Sequence, residues 1–203
     1  MKNHEKKIWP YVTGGIPDEK FIRKNVPMTK EEIRIITISK LRIRDDSIIY
    51  DIGAGTGALT VEAAIRAGKG KVYAVEKEIE RSKLIARNVS KFNLENVKVI
   101  TGEAPSALKE LPPADRIIIG GSGGKLKPIL NQIDKKLATD GRIVINAVTL
   151  DTLVEIYDLF NKLDYDFDIC NIAVTRGKDI AGYKMLKALN PVYIISGEKE
   201  NKK

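Results

Sequence analysis

Cysteine and histidine are almost missing from this chain, with one of each in 203 residues. A single cysteine, Cys170, cannot close an internal disulfide and argues against a thiolate metal cage. It lies in the apolar-leaning stretch Phe167 to Val174, where a free cysteine packs as a small hydrophobe. The lone histidine, His4, falls in a terminus expected to fray, so neither histidine catalysis nor a histidine metal site is expected, and no metal is assigned. Aromatics are 6% of the residues, and no aromatic-and-basic stripe of the kind that stacks bases is present. Apolar residues never run for the roughly 18 positions of a membrane span. Met1 to Lys7 is charged with no apolar run behind it, which is not the pattern of a secretory signal. A cytoplasmic protein without a membrane partner is the expectation.

What is present is an ordinary globular composition, 43% apolar and 31% charged. The length suits one domain with a sizeable core, residues 1–203, with 1–28 as an N-terminal cover and 197–203 as a polar tail. The net charge of +8 suits an anionic partner, either nucleic acid or a polycarboxylated small molecule. Part of that surplus crowds the ends, at Lys2, Lys6 and Lys7 and at Lys199, Lys202 and Lys203. Charge alone does not choose between the two.

Short β-branched runs alternate with segments of helical spacing. Ser47 to Ile52, Lys71 to Val75, Val97 to Thr101, Arg116 to Ile119 and Arg142 to Asn146 read as buried strands. Leu59 to Ala67, Glu80 to Phe92, Leu126 to Leu137 (with Gly141 as a stop signal) and Thr152 to Leu163 read as helices. Such βα repetition predicts a parallel sheet with helices on both faces. The last runs, Phe167 to Val174 and Val192 to Ser196, predict an antiparallel hairpin, joined by a polar, glycine-punctuated loop over 177–190 with one helical turn.

Chemistry concentrates where the first strand ends, in Asp51-Ile52-Gly53-Ala54-Gly55-Thr56-Gly57. Three glycines at alternate positions let a ligand approach the backbone, and a helix N-terminus offers free N–H groups. A dinucleotide can use Gly53-x-Gly55-x-x-Ala58, the looser nicotinamide fingerprint. S-adenosyl-L-methionine can use Gly53-x-Gly55-x-Gly57. Asp51 favours the second, because it can face the cationic amino acid end of that cofactor and would repel a pyrophosphate. At the next strand end Glu76 can accept bonds from both ribose hydroxyls. At the third, Gly102-Glu103-Ala104 forms a turn that can pack against adenine. Open α/β sheets bind ligands on this edge.

With these three turns the sequence resembles the class I methyltransferases. The resemblance implies a Rossmann-like α/β fold with a seven-stranded, mostly parallel sheet whose last strand is antiparallel and inserted beside the fifth. A narrower resemblance runs through Gly15-Ile-Pro-Asp18-Glu-Lys-Phe21, Pro27-Met-Thr29-Lys-Glu-Glu-Ile-Arg34, Asp51 to Gly57, Gly102-Glu-Ala-Pro105 and Ile119-Gly-Gly-Ser-Gly-Gly124. These segments are similar to the cobalamin-pathway precorrin C15-methyltransferases of the decarboxylating type, in their free-standing archaeal form. That resemblance implies methylation of cobalt-precorrin-6B at C15 with loss of carbon dioxide from the C12 acetate. It also implies a tetrapyrrole polycarboxylate as substrate, and a homotetramer. The basic balance suits such a substrate.

Thr29 precedes Lys30-Glu31-Glu32 in the pattern of an N-cap with a capping box, and the family places a cofactor contact there. The cofactor-binding candidates are therefore Thr29, Asp51, Gly53, Ala54, Gly55, Thr56, Gly57, Glu76, Glu103 and Ala104. After the fourth strand, Gly121, Ser122 and Gly123 read as a close-approach substrate loop. Asn146 and Arg176 are candidate carboxylate binders, each equally a cap or surface residue. No catalytic acid or base is assigned. Asn190-Pro-Val-Tyr193 is read as a turn. A tRNA methyltransferase is the rival enzyme, and a nucleotide-binding module without turnover is the rival from another class. The absence of an appended RNA-binding domain argues against the first, and the glycine-rich turn after the fourth strand has no task in the second.

Overall fold

Alternation within the strands decides which side chains reach which layer. In β4 (Ala114–Ile119), Ile117 and Ile119 pack on one side of the sheet while Ile118 packs on the other. In β5 (Leu137–Ala147), Ile143 and Ile145 are likewise opposed by Val144. Successive Cβ atoms point to opposite faces, so a continuous apolar run is what a strand needs when both faces are covered. The structure, a computed structural model, describes residues 7–199. His4 and the end lysines Lys2, Lys6, Lys202 and Lys203 lie outside the described residues.

The parallel strands β1 (Ile48–Ile52), β2 (Lys71–Glu76) and β3 (Val97–Thr101) join β4 and β5 in the order β3-β2-β1-β4-β5, and two further strands complete a seven-stranded sheet. β9 (Val192–Lys199) runs antiparallel between β5 and β6 (Tyr165–Ile172). This is the expected class I sheet with its inserted last strand. Gly197 to Lys199, expected as the start of a polar tail over 197–203, belong to β9.

Among the described residues, five α-helices cover the sheet. α1 (Glu31–Leu41) and α2 (Ala58–Arg66) bury Ile33, Leu41, Leu59 and Ala63 on one face. α3 (Ile79–Lys91) sets Ile85 against Ala74 on that same side. α4 (Leu126–Asp134) and α5 (Leu150–Lys162) bury Ile129, Ile133, Ile156 and Phe160 on the other. Truncating one fully buried isoleucine here to alanine costs about 2–5 kcal/mol.

Three local expectations are corrected. The helix read as Leu126 to Leu137 stops at Asp134, and Gly141 lies inside β5 instead of ending a helix. Thr29 does not cap α1. The helix starts at Glu31 after Lys30, without a side-chain cap, and the Thr29 carbonyl is taken by Arg34 Nη1 at 2.5 Å. The region 177–190 is not a loop with a helical turn. It forms a separate hairpin, β7 (Thr175–Ile180) and β8 (Tyr183–Ala188), turning at Ala181-Gly182, both with positive φ. Its polar alternation hid the strands, because neither face of this ribbon packs on the core.

Candidate active site

The carboxyl ends of β1, β2, β4 and β5 and the turn after β3 meet in one cleft. At the first, Gly53 N and Ala54 N both donate to the Val75 carbonyl, at 2.9 and 3.2 Å, turning the chain sharply out of β1. Gly57 closes the loop as the residue before α2, with a left-handed φ of 77° that only glycine adopts without strain. Gly53 also has a positive φ, and a Cβ there would overlap the backbone of Gly121.

Glu76 braces this loop. Its Oε2 accepts from Gly55 N at 3.0 Å and its Oε1 from Glu78 N at 3.1 Å, and the residue is 4% exposed. It is therefore not a solvated strand end. Each carboxylate oxygen has a further lone pair, so hydroxyl donors can still be accepted. Glu76 lines a cavity of about 440 Å³ together with Gly102, Glu103 and Ala104. The Glu103 carboxylate is itself engaged, 2.6 Å from Lys125 Nζ. Gly121, Ser122 and Gly123 line this same cavity. The turn read from sequence as a substrate loop is thus placed against the glycine loop, on the Glu76 side.

Across the loop lies a second cavity of about 290 Å³, lined by Thr29, Asp51, Ala54, Thr56 and Asn146, with Val148, Val174 and Leu189 as apolar neighbours. Asp51 is 1% exposed. Its Oδ2 accepts from the Thr60 hydroxyl, while its Oδ1 is buried without a protein partner. Burial, with a smaller push from the Glu76 charge, raises its pKa to about 6 against the hydrogen bond from Thr60. A cation beside this carboxyl would favour its ionised form and offset its burial.

Asn146 ends β5 beside it. Thr37 Oγ1 lies 2.7 Å from the Ile33 carbonyl and 3.1 Å from Asn146 Oδ1, and Asn146 Nδ2 is buried with no partner. Because a hydroxyl has one hydrogen, either orientation of the amide leaves one of its polar atoms unmatched by protein.

Arg176 is not brought into either cavity. It stands in β7 with Nε and Nη2 on the two oxygens of Glu32, at 2.8 and 2.5 Å, and Nη1 on Asp18 at 3.0 Å. Asp18 also holds Arg34 at 2.7 Å, and Arg34 pairs with Glu62 at 2.9 Å, both fully buried. Burial opposes ionisation of Asp18, but the two guanidiniums hold its pKa below the ordinary value. Sequence reasoning missed this network. Asp18 and Arg34 stood in two of the segments that carry the family resemblance, yet their partners are long-range, and nothing in local spacing pairs them. Among the described residues, no cluster of His, Cys, Asp or Glu is arranged to hold a metal.

The precorrin methyltransferase domain family matches residues 20–199. The chain belongs to this family. Its precorrin methyltransferase relatives include a probable cobalt-precorrin-6B C(15)-methyltransferase (decarboxylating) from Sulfurisphaera tokodaii, 46% identical over 91% of this chain and 97% of that one. The protein of that name from Methanocaldococcus jannaschii is 36% identical over 89% of this chain and 96% of its own. Among solved structures, precorrin-6y C5,15-methyltransferase from Geobacter metallireducens superposes with a TM-score of 0.89 at 39% identity, covering 93% of this chain and all of that one. A tRNA (m1A58) methyltransferase from Aquifex aeolicus, at 18% identity and TM-score 0.69, shares the fold alone.

Proposed function

We propose that this methyltransferase uses S-adenosyl-L-methionine to methylate cobalt-precorrin-6B at C15, with decarboxylation of the C12 acetate, giving cobalt-precorrin-7. The observation that carries the cofactor reading is the pair of buried carboxylates on either side of the glycine loop, with Asp51 Oδ1 lacking any protein partner. The names of its relatives supply the substrate. The cofactor, when bound, supplies an electrophilic methyl group on a sulfonium.

The chain's residues position and desolvate. Glu76 accepts the ribose hydroxyls while bracing Gly55, and Ala104 and Gly102 wall the adenine side. Asp51 takes the ammonium of the methionine moiety, with Thr29 and Thr56 beside it. Gly53, Ala54, Gly55 and Gly57 keep the loop thin enough for close approach. The Gly121 to Gly123 turn bounds the cofactor and presents its outer rim to substrate. Asn146 offers its unmatched amide atom on the substrate side. The electron-rich macrocycle needs positioning and exclusion of water more than a strong base. The surplus of positive charge suits its carboxylates.

We also place the protein in the cytoplasm as a homo-oligomer, a tetramer on family resemblance. No helix of the described residues is long and apolar enough to cross a membrane. The exposed Ile180, Tyr183, Met185 and Leu186 of the β7–β8 hairpin support self-association.

The test is label transfer. Cofactor carrying a radioactive methyl group should label the corrin precursor with one carbon dioxide released per methyl, and should leave bulk tRNA unlabelled. Transfer to tRNA at a rate typical of tRNA methylases would sink the substrate reading. S-adenosylhomocysteine should raise the melting temperature and NAD should not.

A further inference from the structure

The segment Ile22 to Lys30 lies across the glycine loop as a strap. Val26 and Pro27 line the Glu76 cavity, and Pro27, Met28 and Thr29 line the Asp51 cavity, so one stretch of chain roofs both. The Pro27 carbonyl oxygen lies 3.8 Å from where a Cβ on Gly55 would stand. Few regular backbone bonds hold this stretch, so its position depends on side chains reaching it from elsewhere.

One side chain ties it directly to the loop. Asn88, fully buried on α3, accepts from Ile22 N through Oδ1 at 2.8 Å and donates from Nδ2 to the Ile22 carbonyl at 2.8 Å. The second Nδ2 hydrogen goes to the Thr56 carbonyl, also at 2.8 Å. The amide therefore pairs with Ile22 as a neighbouring strand would, and it grips the peptide between Thr56 and Gly57 that closes the cofactor loop. All three contacts are at good hydrogen-bond distance, and both amide hydrogens are used. No isosteric residue replaces it. Aspartate cannot donate to two carbonyls, and leucine satisfies none of the three groups.

We propose that Asn88 is a positioning residue that couples closure of the 22–30 strap to the conformation of the cofactor loop. It lines neither cavity and acts through Ile22 and Thr56. The inference rests on reading the cleft as the cofactor site. By linkage, whatever factor the closed strap contributes to the closed loop, the closed loop contributes to the closed strap, so a ligand that favours one also favours the other.

Asn96 is an internal comparison. Its Nδ2 donates to the Ala64 and Ala67 carbonyls, at 2.9 and 2.7 Å, at the far end of α2, and it lines neither cofactor cavity. Both Asn88→Ala and Asn96→Ala should lower the melting temperature. Only Asn88→Ala should weaken S-adenosylhomocysteine, by at least 10-fold in titration calorimetry, and speed tryptic cleavage after the exposed Arg23 and Lys24 by a similar factor. In the wild type, S-adenosylhomocysteine should slow that cleavage.

Should Asn88→Ala not fold, Ile22→Pro removes the single N–H that Asn88 accepts. Phe21 already has φ −94° and ψ 144°, compatible with a following proline. It should show a smaller loss of affinity in the same direction. Equal affinity and equal strap cleavage in the Asn88 and Asn96 variants would overturn the proposal. Failure of the wild type to bind S-adenosylhomocysteine would overturn the cofactor reading instead, and the cleavage ratio would still decide the clamp.

Discussion

Gly53 packs face to face with Gly121: a Cβ on Gly53 would stand 2.8 Å from Gly121 N and 2.9 Å from its Cα, and nearer still to its carbonyl oxygen. These are backbone atoms, which cannot swing aside, and Gly53 has a φ of 70°. Gly53→Ala should therefore cost roughly 2–5 kcal/mol in urea unfolding, from strain and overlap together. A Cβ on Gly121, by contrast, meets nothing within 4 Å. Gly121→Ala should keep the wild-type stability. Gly121→Val should weaken S-adenosylhomocysteine as well as turnover, since the branch enters the cavity that Glu76 lines. Turnover lost with cofactor affinity intact would return this turn to the substrate alone.

Glu76→Ala should leave the fold in place and weaken S-adenosylhomocysteine by roughly 1.5–3 kcal/mol, the scale of bonds to a charged acceptor. Part of that loss will come from freeing Gly55 N, which Glu76 holds at 3.0 Å. Unchanged affinity in calorimetry, in a folded variant, would leave Glu76 only its bracing role.

Asp51 makes stability depend on pH in a direction opposite to an ordinary paired carboxylate. Burial raises its folded pKa from 3.8 to about 6. Between those values the folded state holds the proton more tightly than the unfolded state. Its contribution to stability therefore falls as pH rises from about 4 to about 6, by on the order of 3 kcal/mol, and changes little above that. Asp51→Asn should flatten this portion of the stability profile. Affinity for S-adenosylhomocysteine should rise through the same pH range in the wild type, as the ionised form meets the ligand's ammonium, and should not in the variant. Flat affinity across pH 4–7 would separate Asp51 from the amino acid end.

The sheet was legible because its signal is local. Four of the five parallel strands announce themselves as apolar runs such as Ile117-Ile118-Ile119, β3 as the β-branched run Val97-Lys-Val-Ile-Thr101, and Glu76 and Asp51 are fixed by distance from a glycine loop. What escaped was made by partners far apart in the chain. Glu62 stands within α2 with no local signal for its partners, Arg34 and Gly15 N, which lie 28 and 47 positions away. The partner of Asn88 on the strap, Ile22, lies 66 positions away. The Arg176 reading failed to anticipate Glu32, which lies 144 positions away. The β7–β8 ribbon carries no core-facing alternation to betray it.

Arg34 should prove the most sensitive structural charge. Its guanidinium donates to Glu62, Asp18 and the carbonyls of Thr29 and Ile16, and lies 4.8 Å over the Phe21 ring. Arg34→Ala leaves the buried Glu62 carboxylate without its cation, holding only Gly15 N, at a cost of about 3–5 kcal/mol in denaturant unfolding. Arg176→Ala, partly exposed and screened, should cost about 1 kcal/mol or less. If the two variants are equally stable, the buried pair is not the anchor described.

Asn146 offers the sharpest separation of substrate from cofactor. One of its amide atoms is satisfied by Thr37, and the other has no protein partner while lining the cavity shared with Asp51. A buried polar atom left unmatched costs about 1–3 kcal/mol, so the protein holds it at a loss unless a ligand completes it. If that ligand is the tetrapyrrole, Asn146→Ala should lower kcat with the corrin precursor by about 10- to 100-fold, equivalent to about 1.4–2.7 kcal/mol. S-adenosylhomocysteine affinity should then stay within about 3-fold, and the apo protein should lose little stability, since only the Thr37 contact is removed. Thr37→Val, which frees the amide without deleting it, should have the smaller effect on kcat. A large loss of cofactor affinity with kcat preserved at saturating cofactor would instead put Asn146 on the methionine end beside Asp51.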